Sequence, residues 1–224
     1  MDKNIIPQPE IGGDLVRVHR AISRALEISK EFGTLYTAQG YPDTDTQNGY
    51  LIYVRCLVKL LHAHHVTEDK GMFPYLHDKL PDAPYDILME QHNEMVPLLD
   101  KIKTLLSRAR SSQPTETLNT LQSALTHTSE VWHTHIILEE AHFGPDAVAT
   151  VLSVAERRKA AKITANHSAR HQFPLSLMLP FLLYNMPSED REIMIQLMPG
   201  FISPMLAVWK PRWKIMIPFL LVDA

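Results

Sequence analysis

The chain has 224 residues and a formal net charge of −3, and it is 45% hydrophobic and 21% charged. This length predicts one large domain or two very small ones, and the composition is typical of a globular protein with a hydrophobic core. The near-neutral charge argues against a nucleic-acid-binding protein. Twelve histidines against one cysteine are unusual. Their arrangement decides whether they indicate a metal site.

The single cysteine, Cys56, cannot form an internal disulfide, and the N-terminus lacks the apolar segment of a signal peptide. Both observations predict a cytoplasmic location. The longest uncharged runs, 171–188 and 193–209, each contain at least two prolines and are poor candidates for membrane-spanning helices. The sequence therefore predicts no transmembrane segment and leaves peripheral membrane contact open.

Hydrophobic periodicity predicts four long helices, over 14–35, 49–78, 85–110 and 115–142. The segments between them are rich in turn-forming residues: Gln39 to Gly49, Pro81 to Pro84, Ser111 to Pro114 and Gly144 to Asp146. Short connections of this kind make sequential helices antiparallel neighbours. The sequence therefore predicts an all-α protein built on an up-down four-helix bundle.

A fifth helix is predicted from Ser153, where Ser153 and Glu156 match a capping box, towards His171. Residues 173–222 are apolar and rich in proline and methionine, which predicts short helical pieces at best. We expect a bundle in residues 1–146 and an extension in 147–224 that packs on it as one structural unit, with an irregular, Pro-rich C-terminal cap. The cap is either an apolar layer on the bundle, the wall of an apolar substrate pocket, or a docking surface for a partner or membrane.

Histidines and glutamates occur on the apolar faces of all four long helices. They are His19 on the first, His64 and Glu68 on the second, His92 on the third, and His135 and Glu139 on the fourth. Any one of these histidines alone is readily explained as a hydrogen-bonded core residue. Burying four imidazoles and two carboxylates together is costly unless they share cations. Imidazole combined with carboxylate favours iron or manganese over a thiolate zinc site or an all-oxygen calcium site.

The stretch from His64 to Pro74 reads HHVTEDKGMFP and resembles the HHxxED signature, followed by FP, of the hemerythrin-like HHE cation-binding family. The stretch from His135 to Glu140, HIILEE, resembles that family's HxxxEE motif in the fourth helix. His19 and His92 stand where the family keeps its first-helix and third-helix histidines. The resemblance covers residues 14–142. The segments 179–185 and 209–219 are similar to the C-terminal extension of fungal members.

The resemblance implies a non-haem di-iron centre that reacts with dioxygen or related small ligands, although manganese or a mixed metal pair could occupy the same ligands. Glu68 and Glu139 would bridge the metals and be the candidate catalytic residues, and the remaining metal ligands would be His19, His64, His92 and His135. Oxygen carriers of the family have a second third-helix histidine one turn later, where this sequence has Val96. Two imidazoles per metal would leave several positions open, which favours oxygen activation over carriage.

We therefore expect an oxygen-dependent oxidoreductase, an oxygenase or oxidase, acting on a small apolar organic substrate, with fungal secondary metabolism as one setting. The alternative is a non-catalytic protein that binds, carries or senses dioxygen, nitric oxide or iron. The expected partners are a small-molecule substrate or diatomic gas and an electron donor of unknown identity, with no nucleic acid.

Three further histidines are candidates to complete the set of ligands. His65 follows His64 directly and is therefore rotated from it by about 100° around the helix axis. We predict it at the edge of the apolar face, where it would support a metal ligand instead of binding the metal itself. His167 and His171 share one face of the fifth helix and could supply a late ligand, shuttle protons or form a surface pair. The remaining histidines are predicted to be solvated or capping: His62, His77, His127, His133 and His142.

Overall fold

The computed structural model describes residues 7–111, 115–171 and 173–222. Its first part contains α1 (Ile11–Gln39), α2 (Thr44–Thr67), α3 (Phe73–Leu76), α4 (Tyr85–Ser111) and α5 (Thr115–Phe143). A π-helical turn, Glu68–Met72, joins α2 to α3. The helix α5 packs against both α1 and α4, and α2 also packs against both of them. The predicted four-helix bundle is confirmed, and the described residues contain no strand.

The bundle helices begin where side chains satisfy their first backbone N–H groups. The Glu10 carboxylate accepts the Gly13 N–H at 2.7 Å, and the Asp43 carboxylate accepts the Thr46 N–H at 2.6 Å. The chain leaves α1 through Gly40, whose φ of +75° is readily available only to glycine. The predicted turn at 111–114 falls mainly on residues 112–114, which lie outside the described residues, as do residues 1–6.

The second part of the chain is more regular than its proline content suggested. It contains α6 (Pro145–Val151), α7 (Val154–Ser168), α8 (Leu175–Leu183), α9 (Ser188–Leu197), α10 (Ile202–Trp213) and a 3₁₀ turn, Lys214–Phe219. Prolines begin or directly precede several of these helices, where a missing N–H costs little: Pro145, Pro174 and Pro187. The capping box at Ser153 and Glu156 is confirmed at the start of α7.

The extension packs on the bundle and shares its core. Phe181 and Phe219 contact the Tyr53 ring with centroid distances of 4.9 and 5.5 Å. Asn185 is fully buried, and its Oδ1 accepts hydrogen bonds from the Tyr53 hydroxyl and from Arg24, each at 2.6 Å. Residues 174–222 therefore form an apolar layer over α1 and α2, one of the alternatives left open by the sequence.

None of the described helices is by itself long and apolar enough to cross a membrane. The pair Ser188–Leu197 and Ile202–Phe219 reaches that length and composition only together, and it is bent by 118°.

The first turn of α1 lies directly against the turn between α5 and α6. A Cβ atom at Gly12 would lie 2.7 Å from the backbone nitrogen of Pro145, whereas one at Gly13 would meet only the flexible Arg17 and Glu10 side chains. We expect Gly12→Ala to lower the free energy of unfolding by about 1–3 kcal/mol through overpacking. Gly13→Ala should be neutral or stabilise by up to about 1 kcal/mol because alanine favours the helix. Urea unfolding of both variants checks this, and equal effects would contradict the close packing at Gly12.

Candidate metal centre

Seven buried side chains with metal-ligating atoms meet inside the bundle, where α1 begins and α2 ends. The ligating atoms of one cluster all lie within 4.8 Å of one another and belong to His19, His64, Glu68 and Glu139. The same distance limit groups a second cluster: His65, His92 and His135. All seven residues are between 0 and 7% exposed. The six residues predicted as ligands are therefore all brought together, and His65 joins them.

Both glutamates of the first cluster also contact an imidazole of the second. Glu68 Oε1 is 3.0 Å from His64 Nε2, and Glu68 Oε2 is 3.4 Å from His92 Nε2. Glu139 Oε2 is 3.0 Å from His19 Nε2 and 3.3 Å from His135 Nε2. Each carboxylate thus contacts one imidazole of each cluster, as bridging carboxylates require.

Most of the ligating atoms lack hydrogen bonds, the exceptions being the Nε2 atoms of His92 and His135, which lie 3.3 Å apart. The Nε2 atoms of His19, His64 and His65 and all four carboxylate oxygens of Glu68 and Glu139 are buried without a hydrogen-bond partner. Although some of these atoms are only 3.0 Å apart, they are not aligned as donor and acceptor. Leaving so many polar atoms unpaired in a core is costly. Cations between them would satisfy these atoms, so the residues fit a metal at each cluster.

Three imidazoles are held from behind by polar side chains. Nδ1 of His19 donates to Glu140 Oε1 at 2.8 Å and Nδ1 of His92 donates to Asp69 Oδ1 at 2.8 Å. His135 Nδ1 lies 3.1 Å from Gln91 Oε1 and donates to it in the same way. A proton fixed on Nδ1 leaves the Nε2 lone pair free for a metal. These partners were not predicted from the sequence, although each adjoins a predicted ligand along the chain.

Removing one of these partners should weaken metal binding without abolishing it. We expect Asp69→Ala to lower metal affinity about 10- to 100-fold because the His92 ring loses its orienting acceptor. Asp78→Ala is the matched control, since the Asp78 side chain is 97% exposed. Competition with a chelator of known affinity measures both variants. Unchanged affinity in Asp69→Ala would show that the His92 ring is oriented by packing alone.

The electrostatics of the centre favour ionised carboxylates. Burial alone would raise the pKa of Glu68 and Glu139, but the surrounding imidazoles outweigh it and lower both values. Burial lowers the pKa of His65 well below its usual value, so its imidazole is neutral and able to ligate. Burial also opposes the charge on His19, yet its contacts with Glu139 and Glu140 raise its pKa to about 9. Two buried negative charges therefore attract positive charge into the core.

His65 is placed differently from the predicted edge position. It is 3% exposed, and its ring stacks on His92 with centroids 4.2 Å apart. Val96, by contrast, is 43% exposed and points away from the centre. Because α2 packs against both α1 and α4, adjacent residues of α2 reach different sides: His64 meets His19, and His65 meets His92. The clusters thus hold two and three imidazoles, instead of two each.

The other histidines lie outside both clusters. The helix α7 packs over the π-helical turn, where His167 contacts the surface of Gly71, and the His171 ring lies 5.1 Å from that of His167. The structure therefore does not bring this pair to the centre. The five histidines predicted to be solvated or capping are exposed or half-buried: His62, His77, His127, His133 and His142.

Trp132 forms an apolar wall beside the centre. Its ring centroid lies 5.3 Å from that of His19, 5.4 Å from that of His64 and 5.8 Å from that of His135. The indole N–H donates to Ser23 Oγ at 2.9 Å. The ring is almost completely buried, so it limits the access of water to three of the imidazoles.

A helical bundle with carboxylates and imidazoles projecting inward from facing helices defines a class of metal-binding proteins. The family model described as the hemerythrin HHE cation-binding domain matches residues 13–147, more than half of the chain. The chain belongs to this hemerythrin family, as the resemblance implied. Comparisons with curated proteins and with solved structures found no match.

Proposed function

We propose that the two clusters hold a pair of iron ions and that the protein uses dioxygen to oxidise a small organic molecule. The observation that carries this proposal is a surface groove of about 350 Å³ between α1 and α5 that reaches His19. Ser23, Ile136 and Glu140 also line it. An oxygen carrier needs only a path for a diatomic molecule, whereas a groove of this size can hold an organic ligand.

The different numbers of imidazoles in the two clusters also support this proposal. For an octahedral ion, three imidazoles and the two shared carboxylates would supply about five of the six positions beside His92. Two imidazoles and the same carboxylates would supply only about four beside His19. The positions left for outside ligands are therefore concentrated on the side of His19. The groove is lined by this same histidine and by Glu140, which accepts its Nδ1–H.

A pair of iron ions would supply the electrons that dioxygen accepts. The protein contributes the Nε2 atoms of five imidazoles and two bridging carboxylates, all shielded from water. Glu140 keeps the His19 proton on Nδ1, so that Nε2 faces the centre. A cytoplasmic location, predicted from the sequence, is also part of this proposal.

Non-catalytic binding of dioxygen, nitric oxide or iron is the second candidate function. The observation favouring it is His65, because a fifth imidazole leaves fewer open positions than the four predicted from the sequence. With five imidazoles the absence of a histidine at Val96 no longer argues for an open centre.

Metal analysis and an optical oxygen titration test both candidates. We expect anaerobically purified protein to contain about two irons per chain, the number that the paired clusters accommodate. Irreversible oxidation in a single oxygen cycle would support the oxidoreductase. Spectral changes that reverse when oxygen is removed would support the carrier. A preparation that contains zinc or no metal, and cannot be loaded with iron, would contradict both.

A further inference from the structure

The groove beside His19 contains a cation without an acidic partner. Arg24 is half-buried there, and its Nη1 donates to Asn185 Oδ1 at 2.6 Å and to the Phe219 carbonyl at 3.0 Å. In the part of the chain that the structure describes, no carboxylate oxygen lies within 4.0 Å of this guanidinium. Both of its acceptors are neutral, so its positive charge remains available. A guanidinium in this position is suited to an anionic group with planar geometry.

The other charged residues of the groove are already compensated or lie at its rim. Arg20 forms an ion pair with Asp190 at 2.9 Å, and Glu140 accepts the His19 Nδ1–H at 2.8 Å. Glu27 is exposed to solvent, where its charge is strongly screened. Arg24 is therefore the group in this groove that can attract an anion.

The C-terminal extension holds Arg24 in place. The acceptor Asn185 is itself fixed, because its Oδ1 also accepts from the Tyr53 hydroxyl and its amide donates to the Phe181 carbonyl at 2.8 Å. A guanidinium that is already immobilised loses little conformational entropy when a ligand binds. The extension thus contributes to the groove as well as to the core.

The rest of the groove suits the apolar body of a ligand. Val16 lies eight residues before Arg24, about 12 Å away along α1. Val16 and Ile136 supply apolar surface along this distance, and His19 lies between the two ends. Ser23 accepts the Trp132 N–H and keeps its own hydroxyl hydrogen for donation. The lining thus combines a cation, Arg24, with the apolar surface of Val16 and Ile136.

We propose that this groove binds a linear organic carboxylate, with its carboxylate on Arg24 and its apolar chain between Val16 and Ile136. The chain then passes beside His19. The role of such a ligand as a substrate rests on the function proposed above, whereas its binding is tested by itself. The ligand class is amphipathic, not wholly apolar as the sequence suggested.

Calorimetric titration of the purified, full-length protein with octanoate and with octanamide tests this proposal. The two probes have the same chain length, and only octanoate is charged. We expect octanoate to bind at least about tenfold more tightly, since a charge-assisted contact with Arg24 is absent for the amide. Arg24→Gln should remove this difference, and Arg24→Lys should keep most of it. Arg158→Gln, a matched control, should change octanoate affinity by less than about twofold because Arg158 is an exposed arginine of α7 that does not line the groove.

Several results would overturn the proposal. These are equal binding of the two probes, binding of neither, or a preference that survives Arg24→Gln or is lost in Arg158→Gln. Because Arg24 also holds Asn185, thermal unfolding establishes first whether Arg24→Gln is folded. If Arg24→Gln is not folded, Val16→Trp provides the test, because the new side chain occupies the groove and should abolish octanoate binding. Unchanged binding in this variant would contradict the proposal. Octanoate binding by a protein inert to oxygen would contradict only the proposed function.

Discussion

Replacing Glu139 with glutamine is expected to abolish metal binding at both clusters at once. Glu139 Oε2 lies within 3.3 Å of imidazole nitrogens from both clusters, and both of its oxygens lack hydrogen bonds. Glutamine preserves the shape of the side chain but removes the negative charge that two neighbouring cations would share. Losing a side chain that only orients a ligand lowers metal affinity by at most about 100-fold. We expect a larger fall for Glu139→Gln, because Glu139 would itself contact the metals.

Metal content after dialysis and the effect of metal on thermal unfolding measure this change. A metal that binds only the folded protein raises its melting temperature, so the wild-type protein should be stabilised by iron and Glu139→Gln should not. Glu130→Gln, an exposed position on the same helix, is the matched control and should behave as wild type. A Glu139→Gln protein that retains the wild-type metal content would contradict a shared, bridging carboxylate.

Phe219→Ala should cause the largest loss of stability in the extension. The Phe219 ring is almost completely buried and lies 4.9 Å from Phe32, 5.5 Å from Tyr53 and 6.0 Å from Tyr50, measured between ring centroids. Truncating such a ring leaves a cavity between the 3₁₀ turn and the bundle. We expect the free energy of unfolding to fall by about 3–5 kcal/mol, measured by urea titration.

Phe201→Ala provides the same substitution at a 63% exposed position of the extension and should change stability by less than about 0.5 kcal/mol. Tyr53, which contacts the Phe219 ring, precedes His64 by eleven residues, so the changed packing lies about 16 Å along α2 from the metal centre. The folded Phe219→Ala protein should therefore keep its metal content. Equal stability losses in the two variants would contradict the packing of the extension into the bundle core.

Much of the metal centre could be predicted because its ligands repeat the helical period. His64 and Glu68, like His135 and Glu139, are separated by four residues, so each pair shares one face of its helix whatever the rest of the fold does. The same period marked the four long helices, and the turn-rich segments marked where they end. Local geometry is sufficient for such assignments.

His65 and Arg24 could not be assigned in this way. The inward position of His65 depends on α2 lying between α1 and α4, so that two adjacent side chains face different neighbours. Arg24 does not belong to the apolar face of α1 that carries His19, and its acceptors, Asn185 and the Phe219 carbonyl, come from more than 160 residues further along the chain. The π-helical turn that begins at Glu68 was likewise not predicted, because the hydrophobic pattern continues through it.

The sequence by itself therefore determined the helical bundle, the family and the six candidate ligands on the apolar helix faces, because helix periodicity is a local property. Only the tertiary structure decided that the clusters hold two and three imidazoles, which side chains orient them, and that the C-terminal extension fixes a cation in the groove beside His19. These features depend on which helices are neighbours and how they are rotated. Packing of distant segments sets that arrangement, and the spacing of residues along one helix does not encode it.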